Sequence, residues 1–147
     1  MSELESRLML FYTGDQRDAR TLLSKQVSSM QSDADKFATM QRMVDLAYEM
    51  RDVLADEDLD GFGKLLHRGW EMKRSLGGIS YARIDDCYER ARAAGAAGGK
   101  LAGAGGGGFL VIYCEPDRQA AVCDALSELK QVDFQFDRAG ARVAFAE

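Results

Sequence analysis

Histidine and cysteine are scarce in this chain of 147 residues. His67 is the only histidine, and the three cysteines, Cys87, Cys114 and Cys123, include no C-x-x-C pair. Zinc sites use several closely spaced cysteines and histidines, so the sequence predicts no metal site of this kind. An odd number of cysteines without regular spacing predicts reduced thiols in a cytosol. We expect these thiols to be small core residues.

Long apolar runs and an excess of basic residues are also lacking. No apolar run approaches the about 20 residues that a membrane-spanning helix needs, and the N-terminal MSELE is acidic. The net charge is −5, without a basic stripe, which argues against nucleic acid or membrane partners. With 46% hydrophobic and 29% charged residues, the composition is that of a globular protein. We therefore expect a single cytoplasmic domain, residues 1–147.

Glycine is plentiful, and it is concentrated in one segment. Eight of the 15 glycines lie between Gly95 and Gly108, and Lys100 is the only charged residue from Ala93 to Cys114. Ordering so much glycine costs backbone entropy, so the loop needs a compensating reason. Two reasons are open at this point: backbone N–H groups that hold a phosphate, or a hairpin packed tightly under a helix.

Two common phosphate-binding motifs do not fit this segment. A Walker A loop would need glycine at Ala94 and serine or threonine at Leu101. Gly103, Gly105 and Gly108 match the dinucleotide fingerprint, but that fingerprint opens a helix. Here the next residues, 109–113, read FLVIY, which is typical of a strand. The segment therefore predicts a strand, a glycine loop and a second strand.

Hydrophobic periodicity divides the rest of the chain into short strands and longer helices. We predict strands at residues 8–12, 100–102, 109–114, 132–136 and 142–145, and helices at about 15–30, 33–54, 59–76, 81–94 and from Pro116 onward. This order predicts an α+β fold, a ferredoxin-like split β-α-β plait with an antiparallel sheet and extra helices in the first crossover. In the helix at 33–54, residues recur at helical spacing, and most of them are expected to form an apolar core stripe: Phe37, Met40, Val44, Ala47, Arg51 and Leu54.

One predicted helix carries a cluster of candidate binding residues. His67, Trp70, Lys73 and Arg74 lie within two turns, at a spacing that places them on one face. An aromatic ring beside cations suits a sugar phosphate, because the ring packs on C–H groups and the cations meet the phosphate. The alternative is structural, with Trp70 in the core and the cations solvated at the helix end. Lys100 in the glycine segment has the same two interpretations.

The glycine segment, 98–108 (GGKLAGAGGGG), resembles the third conserved motif of the GHMP kinases. That superfamily includes galactokinase, homoserine kinase, mevalonate kinase and the heptose-phosphate kinases. Residues 10–14 (LFYTG), 65–76 (LLHRGWEMKRSL) and 78–80 (GIS) are similar to the heptose 7-phosphate kinase branch, and the likeness covers about 8–145. The resemblance implies the fold above and an enzyme that uses ATP and Mg²⁺ to phosphorylate a sugar phosphate.

The resemblance is to the C-terminal domain alone. The family's ATP-binding Pro-x-x-x-Gly-x-x-Ser-Ser-Ala loop, its catalytic Asp and its Mg²⁺ ligands belong to an N-terminal half that this sequence does not contain. The resemblance implies that Gly103, Ala104, Gly105, Gly106, Gly107 and Gly108 buttress the nucleotide. We expect no catalytic residue, no metal ligand and no tightly bound cofactor in this chain, and no activity from it alone.

Three hypotheses of function follow from the sequence. The first is the C-terminal half of an ATP-dependent sugar-phosphate kinase. The second is a free-standing, non-catalytic domain that binds or regulates through a small molecule. The third is a structural domain that dimerises. A domain without its partner half should expose the surface around the glycine loop and Trp70, so we also expect a homodimer.

Overall fold

The computed structural model describes residues 2–14, 24, 28, 33–78, 80–103, 107–137 and 139–140. The elements, in chain order, are helix α1 (Ser2–Ser6), strand β1 (Leu8–Tyr12), helices α2 (Ala34–Ala55), α3 (Leu59–Ser75) and α4 (Ala82–Ala93), strands β2 (Gly98–Ala102) and β3 (Phe109–Tyr113), a 3₁₀ turn (Pro116–Arg118), helix α5 (Gln119–Ala125) and strand β4 (Lys130–Gln131). Of the predicted helix at 15–30 only residues 24 and 28, both helical, are described, and the predicted strand at 142–145 lies outside the described residues.

The four described strands form an antiparallel sheet in the order β2-β3-β1-β4. β1 pairs with β3 over its whole length, from Leu8 opposite Tyr113 to Tyr12 opposite Phe109, and β3 pairs in the same way with β2. The chain order β1, helices, β2-β3 hairpin, helix, β4 gives this strand order in a split β-α-β plait. The predicted α+β fold class is therefore confirmed.

One face of the sheet forms the core together with α4 and α5. Met9 and Phe11 alternate with half-buried residues along β1, as the two-residue period of a strand requires. They join a cluster with side chains of the two helices: Ile84, Tyr88, Ala91, Val122 and Leu126. α4 and the buried face of α5 lie where the sequence predicts them.

α3 packs unusually close to β2 because glycines remove side chains at the contact. A Cβ on Gly98 would collide with the carbonyl oxygen of Gly63 and lie 2.8 Å from the backbone nitrogen of His67. A Cβ on Gly63 would lie 2.7 Å from the Tyr113 ring. These glycines serve close approach, which is the second reason that the sequence left open. The contact holds α3 alongside the edge strand of the sheet.

α2 begins at an Asp33 cap, whose side chain accepts from the N–H groups of Asp35 and Lys36. Its predicted core stripe is wrong, because Phe37 and Val44 are each 54% exposed. The helix has apolar residues on two faces, and the opposite face, with Thr39 and Leu46, is the buried one. Periodicity alone does not distinguish two apolar faces of one helix.

The strand predicted at 132–136 is also wrong. β4 ends at Gln131, and only the backbone N–H of Val132 continues the pairing, donating to the carbonyl oxygen of Leu10 at 2.8 Å. Further on, the N–H of Phe136 donates to Glu5 Oε2 at 3.0 Å instead of to a strand. Burial still alternates from residue 132 to 136, which explains the strand-like sequence pattern.

Candidate functional site

The end of β1 and the glycine hairpin meet at one end of the sheet, which we call the loop edge (Thr13, Gly103, Gly107 and Gly108). Thr13 is buried there, and both its backbone N–H and its Oγ1 donate to the carbonyl oxygen of Gly108, at 2.9 and 3.0 Å. Nη1 of Arg83, in the first turn of α4, donates to the carbonyl oxygen of Thr13 at 3.2 Å. These bonds fix the base of the loop to β1 and α4.

The glycines of the loop edge are required by their backbone conformation. Gly103, Gly107 and Gly108 have φ values of +99°, +155° and +104°. A Cβ on Gly103 would meet nothing within 4 Å, so crowding is not the reason for glycine there. Successive N–H groups in such conformations can form a concave site for an anion. Ala104, Gly105 and Gly106, also predicted for this loop, lie outside the described residues.

A cleft of about 200 Å³ opens between α2 and α3, beside β2. Its lining is Met43, Leu46, Ala47, Met50, Leu66, Gly69, Trp70, Lys73 and Lys100. Lys100 stands two residues before the end of β2, which is roughly 7 Å of strand from the start of the glycine loop. The close contact between α3 and β2 thus brings Lys73 and Lys100 together, near the loop edge.

The charge of Lys100 acts on Lys73 in this cleft. Burial lowers the pKa of Lys73, and the positive charge of Lys100 lowers it further. Neither lysine forms an ion pair or a hydrogen bond with the residues that the structure describes. The cleft therefore has a concentrated positive charge that no carboxylate of the described chain neutralises.

His67 and Trp70 belong to the interior of the domain. His67 Nδ1 lies 2.7 Å from Tyr88 Oη, and the two rings stack with centroids 6.0 Å apart. Burial raises the pKa of Tyr88, so its hydroxyl stays protonated. Trp70 is 1% exposed and packs on the same tyrosine. The prediction that Trp70 lies on an exposed surface is wrong, since the indole belongs to the core.

Arg74 forms ion pairs with three carboxylates. Its guanidinium lies 2.8 Å from Glu71, 2.8 Å from Glu89 and 3.0 Å from Asp85. The hydrogen bond to Glu89 is the main reason that the pKa of Arg74 is raised. Because Asp85 and Glu89 belong to α4, Arg74 ties the end of α3 to that helix. The four residues predicted to share one face are thus divided among the core, the cleft and this ion-pair cluster.

Three residues that position the site have no strong signal in the sequence. Thr13 fits the pattern of a helix cap, and its bonds to the glycine hairpin depend on a pairing across 95 positions. The hydrophobic pattern of the helix makes Arg83 an ordinary surface residue. It makes Tyr88 an ordinary core residue. Their partners, Thr13 and His67, become neighbours only when the helices pack on the sheet.

The described part of the chain contains no group of three or more His, Cys, Asp or Glu side chains placed to hold a metal ion. Burial raises the pKa of Cys114 to about 11 and also raises that of Cys87, which keeps both thiols protonated near neutral pH. None of the described helices has the length and apolarity to span a bilayer.

Comparison with known proteins identifies the family. Residues 50–131 match the family described as GHMP kinases C terminal. The chain is 27% identical over 144 residues to the D-glycero-alpha-D-manno-heptose 7-phosphate kinase of Campylobacter jejuni, covering 96% of this chain and 42% of that protein. It is 32% identical over 122 residues to a bifunctional fucokinase/GDP-fucose pyrophosphorylase of Arabidopsis thaliana, covering 82% of this chain and 12% of the relative.

Solved structures show the same fold. L. major mevalonate kinase superposes with a TM-score of 0.72 at 23% identity, over 82% of this chain and 37% of that one. The family match covers more than half of the chain and agrees with the plait, so the chain belongs to the GHMP kinase C-terminal family. It spans less than half the length of these curated relatives.

Proposed function

We propose that this chain is the C-terminal half of an ATP-dependent kinase that phosphorylates a sugar phosphate of the heptose phosphate type. The observation that carries the proposal is the loop edge, where three glycines have positive φ and the carbonyl oxygen of Gly108 accepts two hydrogen bonds from Thr13 at the end of β1. The match to the C jejuni heptose 7-phosphate kinase over 96% of the chain supports the substrate class. The protein is proposed to act in the cytoplasm.

In this proposal, the loop edge supports the nucleotide from one side. Backbone N–H groups near Gly103, Gly107 and Gly108 suit an anion, so the phosphate chain of ATP fits this position. ATP brings the phosphoryl group, and Mg²⁺ would be held by ligands outside the described residues, which contain no carboxylate cluster for it. Phosphoryl transfer depends mainly on positioning and charge stabilisation, and a rigid loop base supplies positioning.

The sugar phosphate is proposed to place its phosphate at Lys73 and Lys100. These two lysines have no carboxylate partner among the described residues and stand near the loop edge. Arg74 is a weaker candidate, because binding a phosphate would require it to leave its carboxylates. His67 and Trp70 would act by holding α3 in place, through Tyr88.

Activity measurements on the isolated chain and on a joined protein test whether this domain contributes to catalysis only together with an ATP-binding half. Incubated with Mg-ATP and heptose phosphates, the purified 147 residues should transfer no phosphate above the blank rate, because the ATP-binding loop of the family is absent from the sequence. A non-catalytic binding domain would behave in the same way but would also be inactive after an ATP-binding half is joined to it. Phosphoryl transfer by the joined protein therefore separates the two hypotheses.

A further inference from the structure

The walls of the cleft between α2 and α3 are unlike a sugar-binding site. Among the described residues that line it, there is no hydroxyl, amide or carboxylate side chain; Met43, Leu46, Met50 and Leu66 supply most of the surface. A sugar inserted between these walls would lose the hydrogen bonds of its hydroxyl groups to water without replacing them. The interior of the cleft therefore favours an apolar group.

The opening of the same cleft favours an anion. Lys73 and Lys100 are the cations among the lining residues, half-buried and exposed respectively, and neither has an acidic partner in the described part of the chain. The positive charge of Lys100 acts on the half-buried Lys73, and an anion that contacts both ammonium groups would offset this repulsion. Charge-assisted hydrogen bonds from both lysines to one anionic group would be strong at this half-buried position.

Trp70, one of the lining residues, carries an unpaired donor. Its indole is buried, and its Nε1 has no hydrogen-bond acceptor among the described residues. A buried N–H without an acceptor is costly and uncommon in folded proteins. An acceptor within hydrogen-bond distance of Nε1 would remove this cost.

We propose that this cleft binds a small amphipathic anion, an aliphatic or aromatic body that ends in a carboxylate or a phosphate. The apolar body lies against Leu46, Leu66 and Trp70, and the anionic end contacts Lys73 and Lys100. The anionic end uses the lysines that the sugar phosphate is proposed to contact, so such a ligand competes with that substrate. Binding itself depends only on the cleft and requires neither ATP nor the remainder of a kinase.

The full 147-residue chain offers a direct measurement, because Trp70 is its only tryptophan and lines the cleft. Tryptophan fluorescence is titrated with hexyl phosphate, hexanoate, hexanol, glycerol phosphate and inorganic phosphate. We expect hexyl phosphate or hexanoate to bind at least about tenfold more tightly than the other three probes, since only these two combine both features. The tighter of the two identifies the anionic group.

Three lysine variants locate the site. Lys73→Met and Lys100→Met should each weaken binding by about tenfold, the value of one charged contact. Lys64→Met is the matched control, because Lys64 is exposed on α3 and does not line the cleft. Lys100 is exposed on an edge strand, so its variant tests the charge without disturbing helix packing.

The proposal is overturned if no probe changes the fluorescence or if glycerol phosphate binds as tightly as hexyl phosphate. Equal affinities of the Lys64 and Lys100 variants for hexyl phosphate would also overturn it. These outcomes concern the cleft and its two lysines; whether the domain serves phosphoryl transfer is tested separately, by the activity of the joined protein.

Discussion

At the scale of single residues, glycine serves two different purposes in this domain. At Gly98 it allows α3 to touch β2, whereas at Gly103 it allows a left-handed backbone at the loop edge. Glycine is therefore needed for helix–strand packing at Gly98 and for the backbone conformation of the loop at Gly103. Substitutions distinguish the two purposes.

Gly98→Ala should destabilise the domain by about 1–3 kcal/mol, because the added Cβ collides with the backbone of α3 at Gly63 and His67. Urea unfolding measures the loss. Gly69→Ala is the control, since its Cβ would meet only the flexible end of Leu46 at 3.0 Å, and alanine favours helix by about 1 kcal/mol over glycine. Equal losses in both variants would contradict the close-contact explanation.

Tyr88→Phe should cost about 1–2 kcal/mol of unfolding free energy, because it leaves the half-buried Nδ1 of His67 without its partner at 2.7 Å. Thermal or urea unfolding checks this value. Tyr48→Phe provides the comparison: Tyr48 is 56% exposed, and the ring face that contacts Arg51 is kept. A Tyr88→Phe protein as stable as the Tyr48→Phe protein would show that the His67 bond contributes nothing.

Which residues can be predicted from sequence depends on whether their role is local. Leu8–Tyr12 forms the predicted strand, because its pattern follows the period of the element. The partner of Arg74 could not be predicted, since Glu89 is distant in sequence and the ion pair depends on how two helices pack. Phe37 was predicted to be buried and is exposed, because α2 has two apolar faces and the sequence does not show which of them packs on the domain.

At the scale of elements, ion pairs join the helices across the core's surface. Arg90 of α4 contacts the carboxylate of Glu128 and also donates to the carbonyl oxygen of Ala125, the last residue of α5. The hydrogen bond from Arg90 holds the pKa of Glu128 at about 2, below its ordinary value. This pair therefore connects the two helices that cover the sheet.

The Arg90–Glu128 pair predicts an acid-dependent loss of stability. Because folding lowers the pKa of Glu128, its contribution is present above the unfolded value of about 4.3 and is lost as the pH falls towards the folded value of about 2. Unfolding free energies of the wild type and Glu128→Gln should therefore converge between these two pH values. A difference that stays constant across this range would contradict the assignment. The effect should be modest, since the pair is partly exposed.

At the scale of the whole molecule, the exposed apolar surface of the described residues lies on α2 and not around Trp70. Phe37, Val44 and Tyr48 share one side of that helix. We propose that the homodimer expected from the sequence forms through this side. Light scattering across a dilution series should show a dimer for the wild type and for Ala121→Lys, at an exposed position of α5, and a monomer for Val44→Lys. A wild type that is monomeric throughout the series would contradict this proposal.

The central claim is that the loop edge serves phosphoryl transfer, and catalysis by a joined protein tests it most directly. The ATP-binding half of the C jejuni kinase is fused to this chain, and kcat/KM for the heptose phosphate is measured for Gly103→Val and Gly140→Val. Both glycines have positive φ and no neighbour within 4 Å, so both variants should lose on the order of 1–3 kcal/mol of stability. The account predicts that only Gly103→Val loses activity; equal kcat/KM for the two folded variants would contradict it.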